Sequence, residues 1–159
     1  MRVGFGYDAH RLKEGRRCVL CGVEIPCSFG PDGHSDADVP IHALMDAMLG
    51  ALALGDIGGL FPDSDEKWLG ADSVDLLTRV HDLILEHGYE LGNADITIVL
   101  QEPRLSPFIG QMRARVAGAL GAEVDKVSVK ATTEEKMGFT GDGTGIAAAA
   151  VVLLTMRKI

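Results

Sequence analysis

Gly33 to Asp65, GHSDADVPIHALMDAMLGALALGDIGGLFPDSD, places one helix between two polar loops. The leading loop offers His34, Ser35, Asp36, Asp38 and His42, side chains able to hold a metal or a phosphate. The trailing loop offers Asp56, Asp63 and Asp65 around Gly58 and Gly59. Asp38 suits an N-cap, because its carboxylate can accept from the free amides of the first turn. Pro40 falls in that turn, where a missing N–H does no harm. Leu44, Met48 and Leu52, with Met45 and Leu49, form an apolar stripe at helical spacing, and Gly55 is placed to end the helix in a left-handed turn. His42 and Asp46 share a face near the N-terminal end. The helix dipole there favours a neutral imidazole. Taken alone, His42 reads as a surface histidine bonded to a neighbouring carboxylate; the polar loops on both sides make the stretch read as a site.

Outward from this stretch, 159 residues suffice for one domain with a full core and not for two. Nearly half the residues are apolar, which excludes disorder. No apolar run reaches membrane-spanning length; the nearest, Ile146 to Leu154, is strand-sized. Met1 leads directly into a strand pattern, so the expectation is a cytoplasmic protein without a leader. Cys18, Cys21 and Cys27 are an odd number, and Cys18-x-x-Cys21 has no second pair to complete a zinc knuckle; they read as reduced, incidental thiols. A net charge of −8 argues against a nucleic-acid surface. It is compatible with a phosphorylated small substrate if metal ions and a few cations offset it.

Arg2 to Tyr7 reads as a strand with Asp8-Ala9-His10 at its end. In extended backbone Asp8 and His10 point to one side, so they can supply two ligands to one metal, although such pairs also occur by chance. Cys18 to Ile25 reads as two short strands turning near Cys21-Gly22, and Ser28 to Gly33 as a loop. Asp72 caps a second helix with the stripe Val74, Leu77, Val80, Leu83 and Ile84, ended by Gly88. Asn93 to Gln101 alternates as a strand with Ala94, Ile96, Ile98 and Leu100 on the drier face. Ser106 and Pro107 open a third helix carrying Phe108, Met112, Val116 and Leu120, with Gly121 as its stop. Val127 to Ala131 and Ile146 to Leu154 are strands, the latter expected to be buried on both faces. Between them Lys130 to Gly145, KATTEEKMGFTGDGTG, is a polar glycine-rich loop. Its hydroxyls and amides could hold a diphosphate and its carboxylates a Mg²⁺, although such a loop is most often a plain turn. It is no P-loop, lacking the GK[ST] ending. Arg104 is a second candidate phosphate cation.

GYDAH near the start, the Gly33–Asp65 stretch, GADS, GNADITI and VKATTEEKMGFTGDGTGI together resemble the 2-C-methyl-D-erythritol 2,4-cyclodiphosphate synthases of the non-mevalonate isoprenoid pathway. The resemblance runs in order over essentially the whole chain. It implies a single α/β (α+β-like) domain over residues 1–159, a mixed sheet with helices on one face, assembled as a trimer about a threefold axis. It implies that Asp8, His10 and His42 bind one Zn²⁺ and that Glu135 helps hold Mg²⁺ or Mn²⁺ on the substrate diphosphate. His34 and Thr133 would be catalytic, with Ser35 on the substrate phosphate. Asp56, Ile57, Gly58, Phe61, Pro62, Asp63, Ser64 and Asp65 would form the polyol pocket. Leu100, Gln101, Glu102, Pro103, Arg104, Leu105 and Ser106, with Ala131 and Thr132, would form the cytidine pocket, which a neighbouring subunit contributes. Phe139 would also touch substrate.

The implied reaction joins two phosphates of one molecule and expels CMP. It needs no protein nucleophile, and no Ser–His–Asp or Cys–His constellation is apparent. Two other readings compete: a zinc hydrolase of phosphate esters, and a nucleotide-binding module with a structural zinc. The second calls for a fourth protein ligand, and none is convincing. Two departures from the family pattern stand out. Phe5 replaces the histidine of HGFDVH-like starts, outside the Asp-x-His pair. Asp142 and Thr144 replace the Arg and Glu of GFTGRGEG, near the implied threefold axis. An arginine repeated three times there would clamp an isoprenoid diphosphate; three carboxylates would repel one.

Overall fold

The computed structural model describes residues 1–158. A five-stranded sheet forms its base. β1 (Arg2–Glu14) lies between β4 (Phe29–Pro31) and β7 (Gly145–Met156); β5 (Tyr89–Val99) follows β7, and β6 (Val127–Thr132) closes the far edge. Only the β5–β6 pair is parallel, so the sheet is mixed. A separate hairpin, β2 (Cys18–Leu20) and β3 (Val23–Ile25), turns through Cys21 and Gly22, both at positive φ, the turn whose twist matches antiparallel strands.

Three helices cover one face of the sheet: α1 (Val39–Ala51) over β1 and β7, with α3 (Ser73–Glu86) and α4 (Ile109–Ala119) beside it. The core lies between the layers and includes Leu44, Met45 and Met48 of α1 with Ile96 and Ile98 of β5. The opposite face has no cover within the chain. Val3, Phe5, Tyr7 and Val151 are all about half or more exposed there. β7 turns Ile146, Ala148, Ala150, Val152 and Leu154 to the helices, while its other face is buried at Gly145 and Ala147 and opens toward Val151. The expectation of burial on both faces fails because the chain supplies one helical layer.

α1 approaches β1 closely because β1 turns Gly4 and Gly6 toward it. A Cβ on Gly4 would stand 1.8 Å from the Ala47 carbonyl oxygen, and one on Gly6 1.9 Å from that of Ala43. Next along the same face come Asp8 and His10, so the strand reaches the metal-binding types just where the helix presents His42.

Several element ends differ from the sequence reading. β1 continues to Glu14, placing Asp8 and His10 inside the strand, because its end pairs with β4 (Leu12↔Pro31) in a segment read as loop. α1 stops at Ala51: Ala53, at φ 57°, takes the left-handed position expected of Gly55, and Leu54 N–H donates to the Leu49 carbonyl at 3.0 Å. β5 starts at Tyr89 and ends at Val99, with an irregularity between Leu91 and Asn93. Ser106–Phe108 form a 3₁₀ turn leading into α4. The glycine-rich loop contains a single helical turn, α5 (Gly138–Gly141).

Candidate active site

A cleft of about 310 Å³ opens where the N-terminal end of α1 meets the middle of β1. Asp8 Oδ2 lies 3.1 Å from His10 Nε2 and 3.1 Å from His42 Nδ1. One donor atom from each of the three falls within 4.8 Å of the others. Ligand atoms about 2.0–2.2 Å from a tetrahedral zinc stand roughly 3.3 Å apart, so this set fits such an ion. Burial works to raise the Asp8 carboxyl, but hydrogen bonds from His10 and His42 outweigh it and hold its pKa at about 2. The His10 pKa is raised, chiefly by its hydrogen bond to Asp8. Its Nδ1 lies 2.7 Å from the Asp32 carbonyl, which only accepts, so Nδ1 carries hydrogen and Nε2 is the nitrogen open to a metal.

Only part of the polar loop before α1 faces the cleft. His34 and Ser35 line it with His42. Asp38 is fully buried and accepts from Ile41 N–H at 3.3 Å, as the cap it was read to be. It also accepts from Cys21 and Gly22 N–H at 2.8 and 2.7 Å, pinning the β2–β3 turn against α1. Burial, with the Asp36 charge nearby, pushes its pKa up to about 7 against the pull of those amides. Asp36 also turns inward, toward Ser73. Neither aspartate lines the cleft that holds Asp8, His10 and His42. His42 is not a surface histidine: it is 8% exposed.

The loop after α1 forms the opposite wall. Ile57, Gly58, Phe61 and Asp63 line the cleft. Asp56 caps α2 (Ile57–Leu60) through Gly59 N–H at 2.9 Å, and Asp65 caps the next turn through Lys67 N–H at 3.1 Å. Pro62, Ser64 and Asp65 share this loop without lining the cleft. Trp68 and Leu76 line it and were absent from the sequence reading. The Phe61 and Trp68 rings meet edge to face at 4.9 Å, a contact with no sequence signature. Asp46, four residues from His42, accepts from Ile57 N–H at 2.8 Å and so anchors the loop to α1.

The remaining candidates gather elsewhere. Leu100, Gln101, Pro103, Arg104, Leu105 and Ser106 with Ala131, Thr132 and Thr133 line a second cleft of about 620 Å³, which Ile109, Val129 and Lys130 complete. Glu102 borders a neighbouring groove with Lys136 and Asp142. Ala131 through Phe139 are exposed throughout. Glu135 sits among them at φ 54° and lines neither cleft. Phe139 packs near His10 and Arg11 in a small hollow. Within one chain the Asp8–His10–His42 set and the Thr133–Glu135 loop thus belong to different surfaces. Asp142 is exposed and accepts from Thr144 N–H at 2.9 Å and its hydroxyl at 2.6 Å.

A model of the YgbB family matches residues 1–155. The 2-C-methyl-D-erythritol 2,4-cyclodiphosphate synthase of Geobacter metallireducens is 58% identical over 99% of this chain and 100% of its own. That of Clostridioides difficile is 53% identical over 99% and 98%. Among solved structures, a 2C-methyl-D-erythritol-2,4-cyclodiphosphate synthase in a CDP-bound form superposes with a TM-score of 0.89 at 38% identity, covering 97% of this chain and 100% of that one. The bifunctional IspDF from Campylobacter jejuni gives 0.95 at 42% identity over 99% of this chain, which spans 42% of that longer protein.

Proposed function

The chain belongs to the YgbB family, and from that premise we infer that it is the enzyme of the cyclising step of the non-mevalonate pathway. It converts 4-diphosphocytidyl-2-C-methyl-D-erythritol 2-phosphate to 2-C-methyl-D-erythritol 2,4-cyclodiphosphate and CMP. The observation that carries the reading is the convergence of Asp8, His10 and His42 in one cleft, in a chain more than half identical to full-length synthases. Incubation with that substrate and Mg²⁺ should yield CMP and the cyclic diphosphate by mass spectrometry. Release of inorganic phosphate or a linear product would point to a hydrolase instead.

The substrate's 2-phosphate oxygen forms the new bond to the phosphorus bearing the polyol, and the bond from that phosphorus to the CMP oxygen breaks. No protein atom enters the covalent chemistry. The chain folds the substrate so that two anionic groups meet. Asp8, His10 and His42 would hold a Zn²⁺, which when bound supplies positive charge to offset phosphate repulsion. The nitrogen-rich donor set with one carboxylate suits zinc. His34 and Ser35 lie beside the triad to orient a phosphate, and Thr133 offers a hydroxyl to the reacting diphosphate. Glu135 would hold Mg²⁺ or Mn²⁺ on that diphosphate. Ile57, Gly58, Phe61 and Asp63 form the polyol side and, with Trp68 and Leu76, limit water at the reacting centre. The second cleft takes cytidine. The lyase works in the cytoplasm, a reading supported by three free cysteines. Among the described residues no helix is long and apolar enough to cross a membrane.

The enzyme acts as a homotrimer with three shared sites. Two observations support this: the uncovered apolar sheet face at Val3, Phe5, Tyr7 and Val151, and the separation of the triad from the exposed Thr133–Glu135 loop. If a site is completed by two chains, mixing inactive Thr133→Ala and His42→Ala subunits should restore part of the activity, because some interfaces regain one intact copy of each half. No recovery despite subunit exchange, shown by mass spectrometry, would exclude a shared site.

The trimer carries a further consequence for Asp142. Hydrogen bonds from the Thr144 hydroxyl and amide lower its pKa, keeping three carboxylates ionised near the axis. Facing a diphosphate, three carboxylates repel it. Farnesyl diphosphate should therefore give little or no heat on calorimetric titration, and Asp142→Arg should bring binding in. Tight binding by the parent that Asp142→Arg leaves unchanged would overturn the charge argument.

A further inference from the structure

We propose that Ser73 and Asp36 form a relay that dictates which ring nitrogen of His42 meets the metal, making both positioning residues for the zinc site. The inference rests on the metal reading given above and concerns residues outside the ligand set.

The argument is a count of hydrogens. Ser73 is the first residue of α3 and is fully buried, so its hydroxyl is settled by protein partners alone. Asp36 accepts twice from this one residue: Ser73 N–H reaches Oδ2 at 3.0 Å, and Ser73 Oγ lies 2.5 Å from Oδ1. A carboxylate only accepts, so the single Ser73 hydroxyl hydrogen is committed to Asp36. The other side of Ser73 Oγ faces His42 Nε2 at 3.0 Å and has only lone pairs to offer. Nε2 must therefore carry the hydrogen. A bare Nε2 would face the serine oxygen lone pair to lone pair at 3.0 Å. Ser35 Oγ, 3.2 Å from Nε2, accepts from Ala37 N–H and can share the Nε2 hydrogen; its own hydroxyl donating to a bare Nε2 would still leave Ser73 Oγ and Nε2 facing each other lone pair to lone pair.

With Nε2 so fixed, Nδ1 is the nitrogen a metal can take; it lies 3.1 Å from Asp8 Oδ2, to which it donates until a metal replaces its hydrogen. The arrangement mirrors His10, whose Nδ1 is tied to a carbonyl so that Nε2 ligates. The two histidines thus bind through opposite nitrogens, each set by the partner of the other. Asp36 is itself held in place: its N–H donates to the Ala71 carbonyl at 3.1 Å, and its Oδ1 accepts from Asp38 N–H at 3.1 Å. A carboxylate behind the serine also makes the imidazole a better ligand.

Two readouts test this. Zinc affinity, measured by competition with a chromophoric chelator, should fall roughly 10- to 100-fold in Ser73→Ala and in Asp36→Asn, the range for loss of a ligand-orienting partner. Circular dichroism should show both variants folded. Histidine-ring ¹H–¹⁵N spectra of the parent, metal-free and zinc-loaded, should show hydrogen on His42 Nε2, and zinc should remove hydrogen from Nδ1 only; in metal-free Ser73→Ala the Nε2 hydrogen should be lost in part. A bare Nε2 in the parent, or unchanged zinc affinity in folded Ser73→Ala, overturns the proposal. If the parent chain holds no zinc, the metal assignment falls on that result alone. The ring-nitrogen spectrum, which needs no metal and no variant, then decides the relay by itself.

Discussion

His42→Ala is expected to purify with far less than one zinc per chain and to lose turnover by roughly a thousandfold or more. The mutation removes one of the three proposed protein ligands, and two would not hold the ion against buffer. The charge stabilisation lost with the metal is several kcal/mol, and each 1.4 kcal/mol is a factor of ten in rate. The fold should survive, because the imidazole reaches the cleft from the end of α1 while the stripe that packs the helix, Leu44, Met45 and Met48, is untouched. Metal analysis beside a steady-state assay checks the result. Full zinc occupancy with normal activity would remove His42 from the ligand set.

Gly6→Ala should be nearly as damaging through a different route. The added methyl meets the Ala43 carbonyl oxygen at 1.9 Å and the Ala47 nitrogen at 2.7 Å, both backbone atoms of a buried helix, so no rotamer change relieves it. Either α1 lifts from the sheet or β1 bends. Forced overpacking of this kind costs about 3 kcal/mol, which for a chain of this size lowers Tm by roughly 10 °C. Because His42 rides on α1 and Asp8 on β1, the same displacement spreads the ligand atoms, so zinc affinity should fall together with stability. Gly50→Ala is the control: its nearest neighbour, the Phe5 carbonyl oxygen, is 4.0 Å away, and alanine favours a helix. Gly50→Ala should leave Tm and zinc unchanged or raise Tm slightly. Equal behaviour of the two variants would show that close approach of α1 to β1 is not what Gly6 provides.

Much was legible in the sequence because the signals were local. Asp38, Asp72 and Gly121 mark helix ends whose geometry depends on a few neighbouring residues, and each performs the role its position implied. Where the element ends moved, a distant partner was responsible. β1 runs on because β4 pairs with it, and α1 ends at an alanine held in the left-handed turn by bonds to Leu49 and Gly50. Ala53 paid the conformational cost that glycine avoids, which no propensity argument anticipates.

By itself, then, the sequence determined the three long helices, the strands other than β4, and the donor types Asp8, His10 and His42, since periodicity, caps and residue chemistry are properties of short stretches. The tertiary structure decided which of the many polar side chains around α1 meet. Asp8 and His42 are 34 residues apart, His42 and Ser73 are 31 apart, and Asp36 and Ser73 are 37 apart. Their contacts follow from two glycines that let α1 settle on β1 and from α3 starting beside the same loop. Asp36 and Asp38 look like ligands beside His42 in the sequence, yet the fold turns one to a serine and buries the other under a hairpin. The direction a side chain takes depends on which backbone it lies against, and that is fixed only when the layers pack.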